Sequence, residues 1–92
     1  MAKRKRTVEE YLMHLEDKGF ILSEEAVGFI FFGKKLTGAS DELVNAAIEV
    51  TLKVKQRFDG SFYISLLEAF QHDQVKNRYQ ALRYVEQKGI LT

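Results

Sequence analysis

Residues 61–92, SFYISLLEAFQHDQVKNRYQALRYVEQKGILT, decide how the whole chain is read. Asp59-Gly60 ahead of them is a turn pair, and Phe62-Tyr63-Ile64 is an aromatic and β-branched run suited to a very short strand. Ser65 stands three residues before Glu68, the capping-box spacing, which predicts a short helix from Leu66 to about Phe70. Gln71-His72-Asp73 is polar and ends in a good N-cap, so a second helix is predicted from Gln74 to Lys88. Gly89 closes it as a left-handed C′ glycine, and Ile90-Leu91 reads as the start of another strand.

At about 100° per residue, Val75, Tyr79, Leu82 and Val85 share one face of that second helix, with Ala81 beside them. That face is expected to pack inward. Lys76, Gln80, Arg83 and Gln87 share the opposite face, flanked by Asn77 and Tyr84, with Gln74 at the margin. Arg and Lys suit guanine and phosphate, Asn and Gln suit adenine, so the face has the side chains of a DNA reader. A solvated polar face is the alternative, since amphipathic helices normally have one. The order short helix, polar turn, longer helix, with few carboxylates outside, favours the helix-turn-helix reading.

On these residues the stretch resembles the winged-helix family of DNA-binding domains. Residues 65–70 stand for its first helix, 74–88 for its recognition helix, and 82–91 for the exit from it. Such domains usually continue through a hairpin, whereas this chain stops at Thr92, so the resemblance implies a PadR-like variant with a missing or vestigial wing. The small size and basic start are also similar to the small DNA site-binding proteins of archaeal plasmid segregation. That resemblance implies a dimer coating a centromere-like site, with a ParB-like adaptor and a ParA motor as partners. An autoregulatory transcriptional repressor is equally compatible.

The chain has 92 residues, 46% of them hydrophobic, enough for one small domain at residues 7–92 behind a basic arm at residues 1–6. There is no cysteine, hence no disulfide or thiolate chemistry, and no apolar segment long enough to span a bilayer. The start lacks the apolar core of a secretory signal, so a cytoplasmic protein is expected. Proline is absent, which suits a helical chain. The net charge of +1 divides into +4 over residues 3–6, −6 over residues 7–50 and +3 over residues 51–92. A phosphate backbone would attract the two ends and repel the middle. Lys3, Arg4, Lys5 and Arg6 can follow a phosphate backbone or enter a minor groove, or serve only as a solubilising terminus.

Thr7 and Glu10 form a capping box for a helix over residues 7–18, with Val8, Tyr11, Leu12 and Leu15 as its apolar stripe and Gly19 as its end. Tyr11, Leu12 and Leu15 either pair with a second subunit or pack within their own chain. Ser23 caps a second helix that Thr37-Gly38 breaks. Phe29, Ile30, Phe31 and Phe32 in succession cannot all face one core, so Phe29, Phe31 and Phe32 are expected at a homodimer interface, or else the helix is covered on several sides. Gly28 and Gly33 allow close backbone approach but no phosphate loop follows them. Ser40 caps the longest helix, from Asp41 to about Phe58, whose two apolar faces predict a central position. Lys53, Lys55 and Arg57 near its end complement the helix dipole and could also touch phosphate.

His14 and His72 lack a metal-ligand spacing partner. The carboxylate pairs Glu9-Glu10, Glu24-Glu25 and Asp41-Glu42 lie in first helical turns, where the dipole accounts for them. No nucleophile, base and orienting group assemble from motifs, so no cofactor and no enzymatic activity are expected. The fold expected is mainly α, a winged-helix-like helix-turn-helix with extra N-terminal helices and only vestigial strands. The function expected is sequence-specific double-stranded DNA binding as a homodimer on an inverted repeat, in plasmid or DNA segregation or autoregulation. A helical protein-interaction adaptor is the alternative.

Overall fold

The structure, a computed structural model, describes residues 5–91. Among them are five helices: α1 (Val8–Asp17), α2 (Glu24–Thr37), α3 (Asp41–Lys55), α4 (Gly60–His72) and α5 (Arg78–Gln87). Each opens on a side-chain cap that satisfies a free backbone N–H. Thr7 Oγ1 accepts from Glu10 N and Glu10 Oε1 accepts from Thr7 N, completing the capping box. Ser23 and Ser40 cap α2 and α3 as the sequence predicts.

The last two helices start elsewhere than expected. Asp59 Oδ1 accepts from Phe62 N at 3.0 Å, so α4 begins at Gly60 and Phe62-Tyr63-Ile64 is helix, not strand. Ser65 lies inside α4, exposed, and is not its N-cap. The reason is the longer period: Tyr63, Leu66, Leu67 and Phe70 recur at helical spacing and all are buried. At the far end Gln74 has a φ of 57° and is left-handed, which stops a helix instead of starting one. Val75 N donates to Phe70 O and Gln74 N to Gln71 O, the paired bonds that close a helix C-terminus. The following helix is therefore capped by Asn77, not Asp73, and is only ten residues long.

Gly89 ends α5 with a φ of 71°, and Ile90 N and Leu91 N both donate back to Val85 O. These two residues fold over the helix end and form no strand; among the described residues there is no β-strand. α3 stops at Lys55, with Gln56 in the left-handed conformation, so Phe58 belongs to the connection to α4.

α3 is central, as its two apolar faces predict: it touches each of the other four helices. Leu43, Val44, Ala46, Ala47, Ile48, Val50 and Thr51 are all buried along it. α2 and α4 run parallel, because Phe29 meets Gly60, Gly33 meets Tyr63 and Leu67, and Thr37 O accepts from Gln71 Nε2 at 3.0 Å. The contact is an exchange in which each helix seats an aromatic ring on a glycine of the other. The Tyr63 hydroxyl also donates to Ile30 O at 2.7 Å in the interior. Burial pushes that phenol well above its ordinary range.

Candidate nucleic-acid interface

Among the described residues, the side chains expected to meet DNA divide between three places. Gln74, Gln80, Arg83, Tyr84 and Gln87 line one shallow groove of about 340 Å³ between α5 and the turn before it, together with Asp73, Val75 and Tyr79. Tyr79 is a correction. It was expected to face inward with Val75, but it is 68% exposed, because α5 starts at Arg78 and only Ala81 and Val85 of that helix are fully inside. The Tyr79 hydroxyl accepts from Arg83 Nη1 at 3.1 Å, and the guanidinium also lies 5.9 Å from the ring centroid. Among the described residues no carboxylate is paired with Arg83.

Asp73 is the one acid in this groove, and its oxygens are engaged. One accepts from the Tyr84 hydroxyl at 2.7 Å and the other lies 2.9 Å from His72 Nδ1. The tyrosine bond, then the histidine, hold the Asp73 carboxyl below its usual range, while the same carboxylate raises the Tyr84 phenol. Lys88 Nζ lies over the Tyr84 ring at 5.6 Å. Lys76 and Asn77 sit apart from the groove. Lys76 N donates to Gln80 Oε1 at 2.8 Å, and the Asn77 side chain is occupied as the N-cap of α5.

Arg78, which lies outside the polar face given by the spacing, fixes where α5 sits. Its guanidinium makes three bonds of 3.0–3.2 Å to the Glu49 carboxylate, and its backbone N–H donates to Glu42 Oε2 at 2.9 Å. The other Glu42 oxygen pairs with Lys5 Nζ at 2.9 Å. These partners, Lys5 first, keep the Glu42 carboxyl below its usual range. The root of the basic arm thus lies on α3, with Arg6 O accepting from Asn45 Nδ2. Lys3 and Arg4 lie outside the described residues. The available signal for the true start of α5 was Asn77 three residues ahead of Gln80.

Between the arm root, α1, α3 and α5 lies a recess of about 210 Å³, lined in part by Lys5, Arg6, Tyr11, Glu49 and Arg78. Burial, then the nearby Glu49, pushes the Tyr11 phenol up to about 12. Lys53 is tied to Glu49 at 3.2 Å and Lys55 lies over the Phe62 ring, so both are engaged at the end of α3.

Of the residues expected at a dimer interface, Leu15 is buried in the chain's own core, which corrects that expectation. Tyr11, Leu12 and Phe31 are half-buried against the same core. Phe29 and Phe32 remain exposed.

A family model described as "Family of unknown function (DUF6123)" matches residues 2–91. The chain belongs to that family. Comparison with curated proteins and with solved structures finds no match to either. The match spans the basic arm, all five helices and the α5 groove, so arm and helices fall within one family unit. No helix among the described residues is long and apolar enough to cross a membrane.

Proposed function

We propose that this chain is a cytoplasmic, sequence-specific double-stranded DNA-binding protein. In this reading it acts as a homodimer on an inverted repeat, in DNA segregation or in control of its own promoter. The helix-turn-helix is α4, residues 73–77 and α5, a winged-helix-like arrangement with no strand among the described residues. The observation that carries the reading is the outward face of α5. Gln80, Arg83 and Gln87 project there beside Tyr79, and among the described residues no carboxylate is in an ion pair with the arginine. A ten-residue helix is about 15 Å long, and the major groove, about 12 Å wide, admits one. In that position Arg83 would suit a guanine edge and Gln80 an adenine edge, while Lys76, Lys88 and the arm would meet phosphates.

The test is selection of bound sequences from random duplexes at about 0.15 M salt, where nonspecific phosphate binding is weakened. Recovery of an inverted repeat supports the reading. Each lost base contact costs about 1–3 kcal/mol, so Gln80→Ala with Arg83→Ala should weaken the selected site at least about tenfold. Both side chains are exposed, so the fold should survive. Unchanged affinity for the double variant, or no enrichment in the selection, refutes the reading.

A helical adaptor that binds a protein partner is the second reading. It is favoured by one observation, the exposed Phe29, Phe32 and Leu36 on α2.

A further inference from the structure

α2 leaves one of its faces uncovered. Phe29, Phe32 and Leu36 are 40%, 57% and 53% exposed, and they follow Glu25 at helical spacings of four, three and four. Lys35, three residues past Phe32, stands beside Leu36 at the far end and is exposed, as is Glu25. Neither Glu25 nor Lys35 is in an ion pair among the described residues, whereas the neighbouring Lys34 is tied to Asp41 at 2.6 Å. Gly28, three residues past Glu25 and four before Phe32, lies beside this line. Nothing lies within 4 Å of where its Cβ would stand, and Glu25, Gly28, Phe29 and Phe32 line a recess of about 260 Å³ that is almost wholly apolar.

We propose that this face is the contact between two copies of the chain, α2 packing antiparallel on the partner's α2 about a twofold axis that crosses the exposed face midway between Gly28 and Phe32, opposite the buried Ile30. The adjoining row is Glu25, Gly28, Phe32, Lys35, and read in the opposite direction it runs Lys35, Phe32, Gly28, Glu25. Antiparallel pairing therefore sets Glu25 against the partner's Lys35 and lowers the partner's Phe32 into the recess over Gly28, and it does so twice. Parallel pairing would oppose Glu25 to the partner's Glu25, Phe32 to the partner's Phe32, and leave the recess empty. A surface that complements itself under a twofold rotation is what an isologous dimer requires, which is why a second copy fits here. A helix of 14 residues is about 21 Å long, so the contact lies at the small end of specific interfaces and its association is reversible.

This inference names the contact in the homodimer of the proposed function but does not depend on DNA. It is tested without nucleic acid, by sedimentation of the full chain over a range of concentrations. A concentration-dependent dimer is expected. Glu25→Lys alone and Lys35→Glu alone should each weaken association about tenfold through like-charge opposition, and the double variant should restore it. Gly28→Leu fills the recess and should also separate the copies, while the leucine suits a helix better than glycine and leaves the fold intact. Circular dichroism and urea unfolding check that fold. A chain that stays monomeric at the highest concentrations, a dimer indifferent to Gly28→Leu, or a double charge variant no better than the single ones overturns the proposal. A failed DNA selection with a restored charge-swap dimer would sink the proposed function and leave this contact standing.

Discussion

Replacing Gly33 by alanine should destabilise the protein although alanine is the better helix former. A Cβ built on Gly33 would lie 2.8 Å from Tyr63 Cε2, 3.1 Å from Leu67 Cδ1 and 3.4 Å from Ile64 Cγ1. The nearest of these cannot step aside freely: Tyr63 is fully buried and its hydroxyl is fixed to Ile30 O on the same helix as Gly33. Overpacking a filled contact costs about 1–3 kcal/mol, and losing the tyrosine bond would cost about 1 kcal/mol more. Against this stands a gain of about 1 kcal/mol from helix propensity. The net expectation is a loss of about 1–3 kcal/mol. Gly28→Ala in the same helix is the control, because nothing lies within 4 Å of its Cβ position. It should stabilise by up to about 1 kcal/mol. The propensity term cancels between the two variants, so their difference, about 2–4 kcal/mol, isolates the close approach of α2 to α4. Urea unfolding under dilute conditions measures both midpoints, with equal slopes required for the comparison. Equal shifts in the same direction would refute the description of the α2 and α4 contact.

Gln74→Gly should stabilise by about 1 kcal/mol, since a left-handed φ of 57° strains an L side chain and not glycine; thermal unfolding reads it, and a loss of stability would contradict the strain. Asp41 joins three helices, accepting from Val8 N at 2.9 Å and pairing with Lys34, and these bonds, the lysine first, keep its carboxyl below its usual range. Its contribution is therefore present above the unfolded value of 3.8 and is lost as pH falls through the lower folded value. Asp41→Asn should cost about 1 kcal/mol at neutral pH and flatten that acid limb in unfolding curves taken across it. Tyr11, raised from 10.0 to about 12, acts with the opposite sign, its stabilisation being lost as pH rises from about 10 to 12. Tyr11→Phe should remove that share of the alkaline loss. Deleting residues 1–6 should weaken binding to all DNA sequences alike and flatten the salt dependence; an unchanged salt slope would leave the arm with no part in binding.

Local chemistry accounts for most of what could be read in the residues. Thr7, Ser23 and Ser40 announce α1, α2 and α3 because a cap bonds to a backbone N–H only three residues away. The central place of α3 follows from its two apolar faces, a pattern carried within one helix. Gln80, Arg83 and Gln87 share a face by spacing alone, and the structure keeps them together. What could not be read lies where distant residues decide between local alternatives. Phe62-Tyr63-Ile64 has the composition of a strand, and it is helical because Tyr63 fits over Gly33 and bonds to Ile30, 33 residues earlier in the chain. α5 is held at Arg78 by Glu42 and Glu49, 36 and 29 residues away, and the shift from the expected start carries Tyr79 out of the core and onto the candidate DNA face. Residue identities and their period thus determined the first three helices with their caps, and the polar face of α5. The register of the last two helices, and the uncovered line on α2, were decided only by packing, because burial and ion pairing between distant segments outweigh the weak conformational preferences of a short run.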